Sequence, residues 1–157
     1  MNPPMDKKDY ILTENELGIF HLVNEGFNAQ EIAEKLDKQP SYIRKTKSVI
    51  RKKLEKELKR IANSLRLDHD LANIPANTGV MTGFDWQHNT KVYLIFTEEE
   101  GIVVWWKHEC LTDECQKRNQ EILDLICRER GIILSSKEQE LPLLEQFEIV
   151  IKEIQNR

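Results

Sequence analysis

The chain has 157 residues, with 23 lysines and arginines against 27 aspartates and glutamates, and it is 39% apolar and 32% charged. That balance excludes a disordered chain, and no run approaches the roughly 18–20 consecutive apolar residues of a membrane-spanning helix. Met1 to Lys8 lack the apolar stretch of a secretion signal, so a cytoplasmic protein with no membrane partner is expected. Cys110, Cys115 and Cys127 are odd in number and fall within 18 positions, which suits reduced thiols or a metal site better than a secreted disulfide framework.

The net charge of −4 hides an asymmetry. Between Lys38 and Arg60 stand ten basic residues and two acidic ones, a local balance of +8 that leaves −12 on the remainder. Such polarity within one chain points to a segment that meets a polyanion. A merely solvated helix face is the plain alternative.

Thr13 and Glu16 form a capping-box pattern that opens a first helix, with Leu17, Phe20 and Val23 on one face and Ile19 and Leu22 beside them. Gly26 is its expected left-handed stop. Asn28 and Glu31 repeat the device for a short second helix with Ile32, Ala33 and Leu36 as its apolar face. Pro40 suits the first turn of a third helix, where its missing amide hydrogen has no partner to lose. That helix runs without a breaker to about Leu65. Its apolar stripe of Ile43, Ile50, Leu54, Leu58, Ile61 and Leu65 suits either a short coiled-coil seam with a second chain or a groove in the C-terminal half.

Leu67 to Asn77 reads as a connector. All three tryptophans then fall between Phe84 and Trp106, in three runs of strand type: Gly79 to Trp86, Thr90 to Thr97 and Gly101 to Lys107. The short polar breaks between them predict an antiparallel meander. Thr112 to Arg130 reads as a helix closed by Gly131, and Ser136 to Asn156 as a last helix or helix pair. The expected architecture is α+β: a helical domain over 1–66 with an extended third helix, a linker over 67–77, and a three-stranded sheet with helices over 78–157 that serves dimerisation or sensing. Both faces of its second and third strands are apolar. One face is left for a partner subunit, the long helix or a small ligand.

Leu12-Thr13-x-x-Glu16, the Glu25-Gly26 turn, Glu31-Ile32-Ala33-x-x-Leu36 and Ile43-Arg44-x-x-x-Ser48-x-Ile50-x-x-Lys53-Leu54 together resemble the LuxR/NarL-type helix-turn-helix, a relative of sigma factor region 4. The likeness covers about residues 12 to 58. It implies a third helix that reads DNA through Arg44, Lys45 and Ser48, with Tyr42, Arg51 and Lys52 nearby. Helical geometry agrees independently: positions 41, 44, 45, 48 and 52 share the face opposite Ile43, Ile50 and Leu54, and Ser41 joins the set. Two departures from the family pattern stand out: Lys47 occupies a usual core position and Asp37 a usual glycine.

Among metal-ligating types, His108, Cys110 and Cys115 offer three donors to zinc, although their spacing is not that of a zinc knuckle and cysteine is also a common buried apolar residue. No phosphate-cradling glycine loop, nucleophile elbow or HExxH pattern is present, so an enzyme is not expected. The expected function is a one-component, homodimeric, sequence-specific transcriptional regulator. Its expected partners are double-stranded DNA, a second copy and RNA polymerase. The alternative is a sigma-like adaptor that docks the transcription machinery.

Overall fold

The computed structural model describes residues 11–69, 78–108 and 110–157. Among them are six helices and one antiparallel sheet, an α+β architecture. In chain order these are α1 (Glu14–Asn24), α2 (Ala29–Leu36), α3 (Pro40–Ser64), β1 (Val80–Asp85), β2 (Thr90–Thr97), β3 (Gly101–Trp106), α4 (Asp113–Arg130), α5 (Ser136–Gln139) and α6 (Leu143–Gln155).

Both expected capping boxes close. The Thr13 hydroxyl accepts the Glu16 amide at 3.2 Å while Glu16 accepts the Thr13 amide at 2.9 Å, and Asn28 and Glu31 do the same at 2.9 and 3.1 Å. Gly26, at φ +97°, follows α1 in the left-handed region, and Asp37, at φ +53°, ends α2 there. Aspartate tolerates that conformation better than most residues, which is how the chain does without a glycine between α2 and α3.

The long helix buries Ile43, Thr46, Ile50, Leu54, Leu58 and Ala62. Two residues expected in apolar faces are instead 38% exposed, Leu36 and Leu65. Each stands at a helix end. After Leu65 the backbone reverses through Arg66 at φ +55°, and Leu67 folds back under the helix, its amide donating to the Ala62 carbonyl at 2.9 Å. Leu67 therefore takes the buried place that Leu65 was expected to fill. Asp68 exchanges backbone hydrogen bonds with Phe84 of β1 at 2.7 and 2.8 Å. The start of the expected connector is thus tied to the sheet edge, while 70–77 lie outside the described residues.

The sheet runs in the order β1-β2-β3, with Gly83 opposite Val92 and Leu94 opposite Val104. Because side chains alternate across a strand, β2 sends Val92, Leu94 and Phe96 to one side and Tyr93 and Ile95 to the other. The first set, with Met81, shares a core with Phe20, Ile50, Leu54 and Leu58 of the helical segment. The second set, with Val80, Val103 and Trp105, packs on Ile122, Ile126, Phe147, Val150 and Ile151 of α4 and α6. Three layers result, helices on both faces of the sheet. The stripe of α3 is filled by the sheet of its own chain, which settles the choice among partner subunit, long helix and ligand in favour of the long helix.

Arg130, 4% exposed at the end of α4, joins these layers. Its guanidinium donates to Asn24 Oδ1 at 2.6 Å, to the Thr78 carbonyl at 2.7 Å and to the Phe96 carbonyl at 2.9 Å, and it lies 5.0 Å from the Phe20 ring centre. Arg157 adds bonds to the Asn24 and Arg130 carbonyls at 3.2 and 2.8 Å. Arg157 thereby serves the carbonyls that end α1 and α4, whereas Arg130 bonds to a side-chain amide and to carbonyls of the sheet and the segment before it.

Candidate nucleic-acid interface

The first half of α3 is held from one side. Glu16, 7% exposed, receives the Lys53 ammonium at 2.7 and 3.0 Å, and Asn15 donates to the Tyr42 hydroxyl at 2.8 Å. Burial opposes ionisation of Glu16, but the Lys53 contact and the Thr13 amide outweigh it and hold the carboxyl below its ordinary range. Thr46 is buried at no hydrogen-bonding cost because its hydroxyl donates to the Tyr42 carbonyl one turn back, at 2.9 Å. With Ile43 and Ile50, these contacts fix which side of the helix faces solvent.

On that solvent side Ser41, Arg44, Lys45, Arg51 and Lys52 are exposed and Ser48 is half-buried. The structure brings these six sequence-selected residues to one surface. Tyr42, 39% exposed, sits at its margin, bonded to α1 and with the Lys38 ammonium 5.8 Å from its ring centre. Its role in the fold is therefore to bridge α1 and α3.

Thr46 is the buried residue here, and the adjacent Lys47, at a position where the family pattern has an apolar core residue, lies half-buried at the border. There it lines a shallow cleft of about 240 Å³ with Arg44, Ser48 and Arg51. Burial thus falls one position earlier than in the family pattern, on a small polar residue able to bond back to the preceding turn.

The ten cations counted along the segment are not equivalent. Lys53, Lys59 and Arg60 are paired with Glu16, Glu55 and Glu57. Among the described residues no carboxylate lies within ion-pair distance of Arg44, Lys45, Lys47, Arg51, Lys52 or Lys56. All of these unpaired cations but Lys56 fall between Arg44 and Lys52, in the first half of α3.

The expected zinc set does not assemble. Cys110 and Cys115 are joined as a disulfide, so neither sulfur is a thiolate donor, and among the described residues no group of three or more His, Cys, Asp and Glu side chains is arranged around a metal position. The residues present do not fit the group, and reduced thiols describe only Cys127. Burial pushes the Cys127 thiol up to about 11. A cavity of about 700 Å³ lies beside the disulfide, lined in part by Trp105, Cys110, Asn119, Leu144 and Gln146. The Trp105 indole stacks between Tyr93 and Phe147, with ring centres 5.5 and 4.0 Å away, and its buried N–H has no acceptor among the described residues.

No protein-family model, characterised protein or solved structure matches this chain significantly.

Proposed function

We propose that this chain is a sequence-specific DNA-binding transcriptional regulator that acts as a homodimer, with the exposed face of α3 placed in the major groove. The observation that carries the reading is the disposition of Arg44, Lys45, Ser48, Arg51 and Lys52. Cations and a hydroxyl occupy one side of a helix whose opposite side is packed, and among the described residues no carboxylate lies within ion-pair distance of them. Guanidinium and ammonium groups suit phosphate oxygens and guanine edges, and the serine hydroxyl suits either. The resemblance of residues 12 to 58 to the LuxR/NarL-type helix-turn-helix supports the same assignment.

Fluorescence anisotropy with promoter and random duplexes over a salt series tests this. If Arg44, Lys45, Arg51 and Lys52 each neutralise one phosphate, log K should fall against log salt with a slope of about −3.6 per protomer. The Arg44→Ala/Lys45→Ala variant should halve that slope. Absence of duplex affinity at low salt, or a slope unchanged in the variant, would overturn the reading.

A further inference from the structure

The sheet has two edges, and they are finished differently. The outer edge of β1 is closed by Asp68, which exchanges two backbone hydrogen bonds with Phe84. Among the described residues no strand pairs with the outer edge of β3, and at its end the Trp106 carbonyl accepts the His108 amide at 2.9 Å. The Lys107 amide donates to the Lys91 carbonyl at 2.9 Å, so alternation along an antiparallel ladder turns the backbone groups of Val103 and Trp105 towards β2 and those of Ile102, Val104 and Trp106 outwards. β3 also carries none of the devices that usually protect an edge: Gly101–Trp106 contains no proline and no charge. A channel of about 680 Å³ lies against this strand, bounded by Ile102 to Trp106 on one side and by Cys115, Arg118, Asn119 and Ile122 of α4 on the other.

From this edge we infer that two copies of the chain pair β3 to β3, antiparallel about a two-fold axis near Val103 and Val104, to make one continuous six-stranded sheet. The choice of occupant comes from the charges that flank the strand. Its start follows Glu99 and Glu100 and its end leads into Lys107. Antiparallel pairing of identical strands brings the acidic end of each to the basic end of the other, whereas parallel pairing would set like charges together. The apolar centre is self-complementary, and the channel beside α4 accommodates the side chains of the incoming strand. Glu99, Glu100 and Lys107 already meet Arg128, Arg118 and Glu148 in solvent-accessible pairs, and such surface pairs exchange partners at little cost. This inference rests on the dimeric state proposed above and assigns its surface.

Sedimentation velocity of the full chain over a concentration series reads the pairing. Val104→Pro removes an outward amide without touching the ladder to β2. It should raise the dimer dissociation constant about tenfold or more, one hydrogen bond being lost on each side of the axis. Glu99→Lys/Glu100→Lys and Lys107→Glu guard against misfolding of the proline variant. Each should dissociate alone, and mixing the two should restore a dimer, because each then supplies the charge the other lacks. A dimeric wild type whose variants all stay equally dimeric would overturn the β3 interface and leave the dimeric reading standing. A wild-type chain that is monomeric at every concentration would overturn both, and leave the edge to a strand from another protein.

Discussion

Replacing Arg130 with methionine tests whether the helical segment and the sheet form one cooperative unit. Methionine keeps an unbranched stem but removes every donor, stranding Asn24 Oδ1 and the Phe96 carbonyl in a buried site and taking the Arg130 bond from the Thr78 carbonyl. Each stranded acceptor costs about 1–3 kcal/mol. Against that sum stands the desolvation of a guanidinium that burial pushes down to about 10, so it is still charged at neutral pH. That penalty is several kcal/mol and is recovered in the variant. The net expectation is a loss of about 2–4 kcal/mol, a large share of the 5–15 kcal/mol typical of a domain. Urea unfolding followed by tryptophan fluorescence, which reports the sheet through Trp86, Trp105 and Trp106, and by far-ultraviolet circular dichroism, which reports the helices, measures it. The two signals should coincide in wild type and variant, with the midpoint lowered by roughly 1–2 M at unchanged slope. A loss below about 1 kcal/mol, or fluorescence and dichroism transitions that separate in the wild type, would refute the role given to Arg130 and to the shared core.

Gly79→Ala should cost about 2 kcal/mol or more in the same assay, because Gly79 sits at φ +69° and an added Cβ would lie 3.1 Å from Phe96 Cβ and 3.2 Å from an Arg130 nitrogen. Glu16 ionises below its ordinary value, so its contribution is present above that value and lost as the pH falls through the lowered one. Glu16→Gln should therefore lower the urea midpoint at neutral pH and flatten its decline in acid. The Cys127 thiol, pushed up to about 11, should react with a thiol reagent at neutral pH far more slowly in the folded protein than in urea; equal rates would contradict its burial. Opening the small Cys110–Cys115 loop by the double serine variant should cost about 2 kcal/mol, readable as a lower thermal midpoint without loss of helical signal.

Local chemistry was the readable part of the sequence. Capping boxes at Thr13 and Asn28, the proline that starts α3 and the alternation of β2 act over four or five residues, and the observed elements follow them closely. Helix ends were less readable: Leu36 and Leu65 continue an apolar pattern, yet the chain turns at Asp37 and Arg66 and leaves both exposed. Long-range matters were not in the pattern. A stripe of Ile50, Leu54 and Leu58 looks the same whether a second chain or a sheet covers it. Arg130 reads as one more helix-terminal cation until Asn24 and Thr78, distant in the chain, are brought to it. The disulfide was missed because cysteine count is evidence about a whole chain, whereas Cys110 and Cys115 meet through one turn before α4. On the outward face of α3 helical phase alone sorts the selected residues, and the burial of Thr46 was not legible because it depends on the hydroxyl bonding back to the Tyr42 carbonyl.

The long helix divides its work along its length, and this division links the two proposals. From Leu54 to Ala62 its inner side packs into the core shared with the sheet, and the cations of that stretch include Lys59 and Arg60, each held by a carboxylate of the same helix. From Ser41 to Lys52 its inner side, Ile43 and Ile50, belongs to the same core, but among the described residues the outer cations have no carboxylate within ion-pair distance. A continuous helix of 25 residues, about 37 Å long, transmits the orientation of one half to the other. Two sheets joined through β3 would therefore fix the separation and the angle of two basic faces. A dimer built on a two-fold axis requires operator half-sites related by the same symmetry. Loss of the β3 pairing should weaken binding to a two-half-site duplex while leaving the salt slope for a single half-site as it is, because that slope counts phosphates met by one protomer.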